Sequence, residues 1–284
     1  MAEPKAQLDL FYSFVGETVP LRDERESMSM PLCSLSKRKR IKPIEWTSSD
    51  RKRWVKVTAP AESGIATIWD LDIVLWAISQ LNEAVERDAA VGHSIRFQAY
   101  DLLKATGRHT GGKNYAELEM ALRRLTGTVI ETSIRADKRR GKAMFHWVEA
   151  WSHDLDQDGR SKGMTITVPD WIYQAVVVDR SVLAISPKYF EITSGIGRWL
   201  YRLARRHAGK QPNGWRFTMK DLHKRSGSTQ VYGQFARDLR RIIDRGNFPG
   251  YAIETITGQR GDEVVVMTPT AEMPQDKRLR RIDL

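Results

Sequence analysis

Across residues 69–85, apolar side chains recur at Leu71, Val74, Leu75, Ile78, Leu81 and Val85. This is helical spacing, and it predicts one long amphipathic helix. Asp70 and Asp72 fall in its first turn, where the helix dipole favours negative charge. Two residues apart, they do not face one another, so they read as capping residues and not as a catalytic carboxylate pair. Residues 197–207 predict a second helix with Trp199, Leu200 and Leu203 on its core side. Strand-like alternation occupies Ile44–Thr47, Trp54–Thr58, 128–134, 143–151, 164–168, Tyr251–Thr257 and 263–268. Ser48-Ser49-Asp50 separates the first two runs, which predicts a hairpin. Residues 169–176 read as a short helix opened by Pro169, 182–192 as a link, and the tail from Gln275 as basic and loose.

Between these elements one pattern occurs twice. Residues 95–125 (IRFQAYDLLKATGRHTGGKNYAELEMALRRL) and 215–243 (WRFTMKDLHKRSGSTQVYGQFARDLRRII) each read as a short strand, a helix, a glycine turn and a second helix. At an offset of 120, Arg96, Phe97, Asp101, Leu102 and Gly107 match Arg216, Phe217, Asp221, Leu222 and Gly227. After the turn the offset is 117, matching Tyr115, Leu118, Leu122, Arg123 and Arg124 to Tyr232, Phe235, Leu239, Arg240 and Arg241. A period this long is a domain duplication and not a solenoid. Each copy is preceded by a helix and followed by paired strand runs, the order of a winged helix. The expected fold class is therefore α+β, with tandem winged-helix (helix-turn-helix) domains and β-hairpin wings. The expected division is a flexible tail over 1–27, a first winged helix over 28–180 and a second over 181–284, within the two-domain prior for 284 residues.

Charge separates the two copies. Residues 198–245 hold 13 Lys/Arg against 3 Asp/Glu, a net of +10, whereas residues 69–131 hold 7 against 9, a net of −2. The whole chain carries +11, which points to a polyanionic partner. The second copy is the better candidate for nucleic acid. On the helix after Ser228, Phe235, Leu239 and Ile242 form the core side, and the neighbouring stripe is Gln230, Gln234, Arg237 and Arg241. Gln pairs with adenine edges and Arg with guanine edges, so this stripe suits base reading in a major groove. Lys220, Lys224 and Arg225 suit backbone positioning. The equivalent stripe in the first copy is Lys113, Glu117, Met120 and Arg124, a weaker reader, with Lys113 and Arg124 as its DNA contacts. Lys138, Arg139, Arg140 and Lys142 sit between the runs 128–134 and 143–151, the expected tip of the first wing. The run Lys37-Arg38-Lys39-Arg40 reads as a solvated segment or a DNA-backbone contact.

Other chemistry is set aside on composition. Residues 107–114 (GRHTGGKN) approach a Walker phosphate loop, but Asn114 has no hydroxyl for Mg²⁺ and a helix precedes the loop where a strand is needed. Asp154, Asp156 and Asp158 imitate the start of a calcium loop, but Thr165 stands where a bidentate Glu is required, so a polar turn is the reading. The six histidines never reach metal-ligand spacing, and no His-x-His pair is present to support a nicking tyrosine. No Gly-x-Ser-x-Gly elbow occurs. A single cysteine, Cys33, excludes an internal disulfide and fits a reducing cytoplasm. No run is long enough to span a bilayer, and residues 1–30 lack a signal peptide's pattern. The expectation is a DNA-binding protein that is not an enzyme and needs no metal or cofactor.

Two resemblances sharpen this. Gln7, Leu8, Leu10 and Phe11, within QLDLF, resemble the short peptide by which bacterial replication proteins dock on the sliding clamp; a helix end docking back on the body is the competing reading. The tandem winged-helix order, with residues 179–181 (DRS), 186–190 (SPKYF), 199–205 (WLYRLAR) and 226–228 (SGS), is similar to plasmid replication initiators of the replication initiator protein A family, related to TrfA. That resemblance covers roughly residues 28–270 and implies binding to direct repeats (iterons) in double-stranded origin DNA. It also implies opening of an adjacent A+T-rich segment, and leaves open whether single-stranded DNA is bound. Recruitment of the sliding clamp and the host helicase or initiator, action as a monomer with a homodimer in autoregulation, and copy control complete what it implies. A winged-helix transcriptional repressor is the alternative class, with no use for QLDLF.

Overall fold

The computed structural model describes residues 9–15, 19–133 and 142–276. Its centre is α1 (Leu71–Glu86), the long predicted helix. All six expected core residues are buried, but so are 14 of the helix's 16 residues, including Asp72, Ser79, Gln80 and Asn82. The helix is enclosed on every side, which an amphipathic pattern does not foretell. Two of these polar side chains are met from distant segments, while the Asn82 side-chain oxygen is buried without a hydrogen-bond partner. Ser79 accepts from the Arg22 amide (2.8 Å) and donates to the Leu75 carbonyl (2.7 Å), and Gln80 Oε1 accepts from the Phe14 amide (2.8 Å). Left unpaired, such groups cost on the order of 1–3 kcal/mol each.

Two units share one connectivity around this helix. In the first, α1 is followed by β5 (Ser94–Phe97), α2 (Ala99–Ala105), α3 (Gly112–Gly127) and, later, the hairpin β8 (Ala150–Leu155) and β9 (Ser161–Thr167). In the second, α5 (Gly195–Ala208) precedes β11 (Trp215–Thr218), α6 (Met219–Ser226), α7 (Tyr232–Asp244) and the hairpin β12 (Tyr251–Thr257) and β13 (Glu263–Pro269). In each unit the first strand pairs antiparallel with the last, β5 with β9 and β11 with β13. The repeat seen in sequence is kept in detail. Phe97 and Phe217 are both buried, as are Leu118 and Phe235, and Leu122 and Leu239. Gly107 and Gly227 both turn the chain in the left-handed region, at φ +67° and +62°, which glycine adopts without a Cβ penalty.

The first wing differs from expectation. The strand β6 (Val129–Thr132) does pair with β7 (Ala143–Phe145), but it also pairs with β4 (Trp54–Thr58), giving a separate sheet in the order β3 (Ile44–Thr47), β4, β6, β7. The run 143–151 is not one strand. Trp147 and Val148 break it by entering the core, where Trp147 Nε1 donates to the Leu32 carbonyl at 3.2 Å. The hairpin that matches β12–β13 is β8–β9, and its tip is the turn at Asp156–Arg160, which holds two aspartates and one arginine. There Asp156 Oδ1 accepts from the amides of Asp158 and Arg160 at 2.9 and 2.8 Å. The separate sheet touches the second unit: Arg40 donates to the Gly227 carbonyl at 2.5 Å, and the Arg225 guanidinium lies 5.6 Å from the Trp46 ring.

The ends of the chain are also corrected. The strand β1 (Leu10–Tyr12) runs parallel to β5 and Phe11 is 7% exposed, so this part of the expected free tail is sheet and core. Alternation explains it: Phe11 points inward while Tyr12 stays 72% exposed. Gln7 and Leu8 lie outside the described residues. The strand β2 (Arg22–Glu24) is buried throughout and pairs antiparallel with β10 (Val182–Ala184), so a ladder joins chain from both sides of residue 181. Between the units lies α4 (Asp170–Tyr173), continued by one π turn to Val178. At the other end, Asp276 accepts from the Ala184 amide at 2.8 Å and from Arg205 at 2.5 Å, so the chain is docked that far.

Candidate nucleic-acid interface

Most of the second unit's basic residues lie on its three helices, and their surroundings differ. On α5, Arg198, Arg202, Arg205 and Arg206 follow helical spacing, and each meets a carboxylate from elsewhere in the chain. Arg198 lies 2.8 Å from both oxygens of Asp72 on α1. Arg202 grips Asp23 on β2 at 2.6 and 3.1 Å. Arg205 meets Asp276, and Arg206 meets Glu26 at 2.8 Å. Arg198, Arg202 and Arg205 are buried. Burial pushes the Asp72 carboxyl up, against the pull of Arg198 and of Arg108, which approaches to 3.7 Å from the turn of the first unit. These four arginines are structural, and the charge available to a polyanion is smaller than the sequence sum.

On α7 the arginines face outward. Phe235, Ala236, Leu239 and Ile243 are buried, while Ile242, expected in the core, is only partly covered against Gly197. Arg237, Arg240 and Arg241 are exposed. Arg240 is tied to Glu263 on β13 at 2.5 and 2.7 Å. Arg241 lies 3.7 Å from Asp238 and is 61% exposed, and Arg237 makes a long 3.5 Å contact with Gln234. Lys220 and Lys224 are exposed on α6. Arg225 is not available in the same way. It pairs with Asp221 at 2.7 Å and lies against Trp46 and Phe217, so its expected backbone-positioning role competes with packing.

Gln230 and Gln234 converge on one carboxylate. Both side-chain amides donate to Asp238, Gln230 at 2.7 Å and Gln234 at 3.0 and 3.1 Å. The loop that delivers Gln230 is pinned by His223, whose Nε2 meets the Gln230 carbonyl at 2.8 Å. Sequence reasoning passed over Asp238, although its spacing of four from Gln234 is the signal for such a pair. It also passed over Val231, 76% exposed at the start of α7.

The first unit arranges its equivalents differently. Arg124 forms a two-pronged bond to buried Asp70 at 2.7 and 2.8 Å, so this expected DNA contact is committed to the fold. Asp70 also accepts from the Thr67 amide at 2.8 Å but makes no capping bond to α1, and Asp72 is engaged by Arg198, so the two expected capping residues are ion-pair partners instead. Lys113 is 87% exposed, 3.9 Å from Glu117, and Met120 is exposed. Glu119 meets His153 on β8 at 2.9 Å. Beside this helix lies a cleft of about 910 Å³ whose rim includes Lys37, Lys39, Arg108, His109 and Arg123, with Trp69 and Phe190 in its wall. Lys37 of the basic run sits 5.0 Å from the Trp69 ring. Lys138, Arg139 and Arg140 lie outside the described residues.

Among the described residues, no group of three His, Cys, Asp or Glu side chains could hold a metal ion, and no helix is long and apolar enough to cross a membrane. Cys33 is buried, which pushes its thiol up to about 12 and leaves it unreactive at neutral pH.

Comparison with known proteins fits this architecture. In the solved structures of domains 2 and 3 of RctB, the chain overlays at TM-scores of 0.60 and 0.56 with 14% and 13% identity. The overlays cover 85% and 84% of this chain and 96% and 95% of those. At that identity the likeness is one of fold. A protein of Wigglesworthia glossinidia brevipalpis described as "Putative replication protein" is 34% identical over 248 residues, 84% of this chain and 88% of that one. Residues 22–253 match the model of the replication initiator protein A family, a span that takes in α1, both helix pairs and three of the four α5 ion pairs, those to Asp72, Asp23 and Glu26. With most of its length matched and its core elements inside the match, this chain belongs to the replication initiator protein A family.

Proposed function

We propose that the chain initiates replication of the DNA molecule that carries it, binding repeated duplex sites through two winged-helix units with α7 as the base-reading helix. The observation that carries this is the outward face of α7, where Arg237 and Arg241 stand exposed beside the paired Gln230 and Gln234 while the opposite face is buried. Val231 supplies an apolar group suited to a thymine methyl. Lys220 and Lys224 supply charges for the phosphates alongside. In the first unit, where Arg124 is spent on Asp70 and the hairpin tip holds two aspartates and one arginine, DNA contact is weaker and the surface is freer for assembly with host proteins.

Strand opening in this reading is driven by binding energy and DNA deformation, with no covalent step. Docking of Gln7, Leu8, Leu10 and Phe11 on a sliding clamp carries a condition, because Phe11 is in the core and β1 must leave its ladder with β5. A peptide of residues 1–15 that binds the clamp, beside a full chain that does not, would locate the block in that ladder. If neither binds, the segment is purely structural.

Footprinting on the replicon that encodes the protein tests the main reading. Several direct repeats spaced by whole helical turns are expected. A lone inverted repeat, with autonomous replication unaffected by deletion of the gene, would identify a repressor instead.

A further inference from the structure

Gln230 and Gln234 share a feature that base reading alone does not require. Their amide nitrogens both turn toward Asp238. The direction of each amide follows from chemistry: an ionised carboxylate only accepts, so it must face the NH₂ and not the carbonyl oxygen. Hydrogen bonds from Gln234 and then Gln230 hold the Asp238 carboxyl below its usual range, which already leaves a carboxyl ionised at neutral pH. On each amide one N–H is thereby committed, and the oxygen lies on the other limb beside the remaining N–H.

We propose that Asp238 is a positioning residue that locks Gln234, and with it Gln230, in the amide setting that selects adenine over guanine in the major groove. This rests on α7 lying in that groove. Adenine offers an N6 donor beside the N7 acceptor, matching the one free N–H and the amide oxygen, which Arg237 (on Gln234, 3.5 Å) and Ser228 (on Gln230, 3.4 Å) touch only at the long limit of a hydrogen bond. Guanine offers two acceptors, O6 and N7. A single amide meets both only by giving both of its N–H bonds, and Asp238 has taken one. A negative charge on a DNA-facing helix is otherwise unfavourable, since it repels the phosphates that dominate affinity. Its place here is explained by what it does to the two glutamines.

The experiment is selection from a pool of duplexes with a randomised core, using the full chain in four forms: wild type, D238A, Q234A and the double variant, each checked for fold by circular dichroism. Wild type should enrich a position where adenine exceeds guanine by about tenfold or more. Q234A should abolish that preference. D238A should lower it to about threefold or less, while its affinity for unselected duplex rises as a negative charge leaves the surface. In the Q234A background D238A should have no further effect on preference. A preference lost in Q234A but retained in D238A overturns the positioning role and leaves base reading by α7 standing. Enrichment that is insensitive to Q234A, or no enrichment by wild type, overturns the underlying reading of α7 itself.

Discussion

α5 and α7 carry nearly the same density of arginine, yet their arginines have opposite fates. Those of α5 run inward to Asp72, Asp23, Asp276 and Glu26, carboxylates drawn from three separate parts of the chain. Those of α7 run outward, and among the described residues they pair with Glu263 and Asp238. The difference teaches that a local charge sum is not an electrostatic footprint. A cationic helix presents its charge to a ligand only where the tertiary fold has not already brought it an anion.

The contrast breaks most sharply at the buried end. R202A should lower unfolding stability by about 3–5 kcal/mol, because it strands the Asp23 carboxylate, 1% exposed, away from water. Replacing both partners with apolar residues, R202M with D23L, should restore much of that loss in urea denaturation. A small effect of R202A alone would mean that α5 is not held as described.

His207, near the end of α5, gives the next largest effect. Burial, reinforced by Arg206, lowers its pKa from 6.5 to about 4, and its ring packs on Trp215 and Phe217 at 5.3 and 5.2 Å. The unfolded chain therefore takes up this proton first, so the neutral histidine's stability is intact above pH 6.5 and is lost as pH falls towards 4. The loss should approach about 2–3 kcal/mol. H207F should flatten that part of the stability–pH curve, and an unchanged curve would place the titration elsewhere.

On the outward helix, R237A should cost about 1–3 kcal/mol of binding to the cognate duplex and relax preference at one base pair. Its unfolding midpoint should stay near wild type, the converse of R202A. Equal losses on cognate and random duplex would make Arg237 a phosphate contact. The smallest effect belongs to E263A, which removes an exposed pair from Arg240 and should change stability by about 0–1 kcal/mol. A larger change would move Arg240 into the structural class with the α5 arginines.

The duplicated units were legible from the chain because their signals are local. Helical and alternating periods, a glycine that must turn left-handed at 107 and 227, and matched core positions lie within one stretch of about thirty residues in each copy. The polar turn at Asp156–Arg160 was legible for the same reason. The first wing was misplaced because β6 alternates equally well whichever strand it pairs with, and its second partner, β4, lies more than seventy residues earlier. Phe11 was placed on a tail because three residues of strand have no periodic signal of their own.

By itself, then, the amino-acid sequence determined which residues turn, which faces are apolar and that one motif occurs twice, since these depend on neighbours three or four positions away. Only the tertiary structure decided which charges are left over. Arg124, Arg198, Arg202 and Arg205 are indistinguishable in sequence from Arg237 and Arg241, and their pairing depends on carboxylates 54 to 179 positions distant. Coulomb attraction acts through space and is strongest where water is excluded, so the proposed base-reading surface stands out only once the fold has consumed the other arginines.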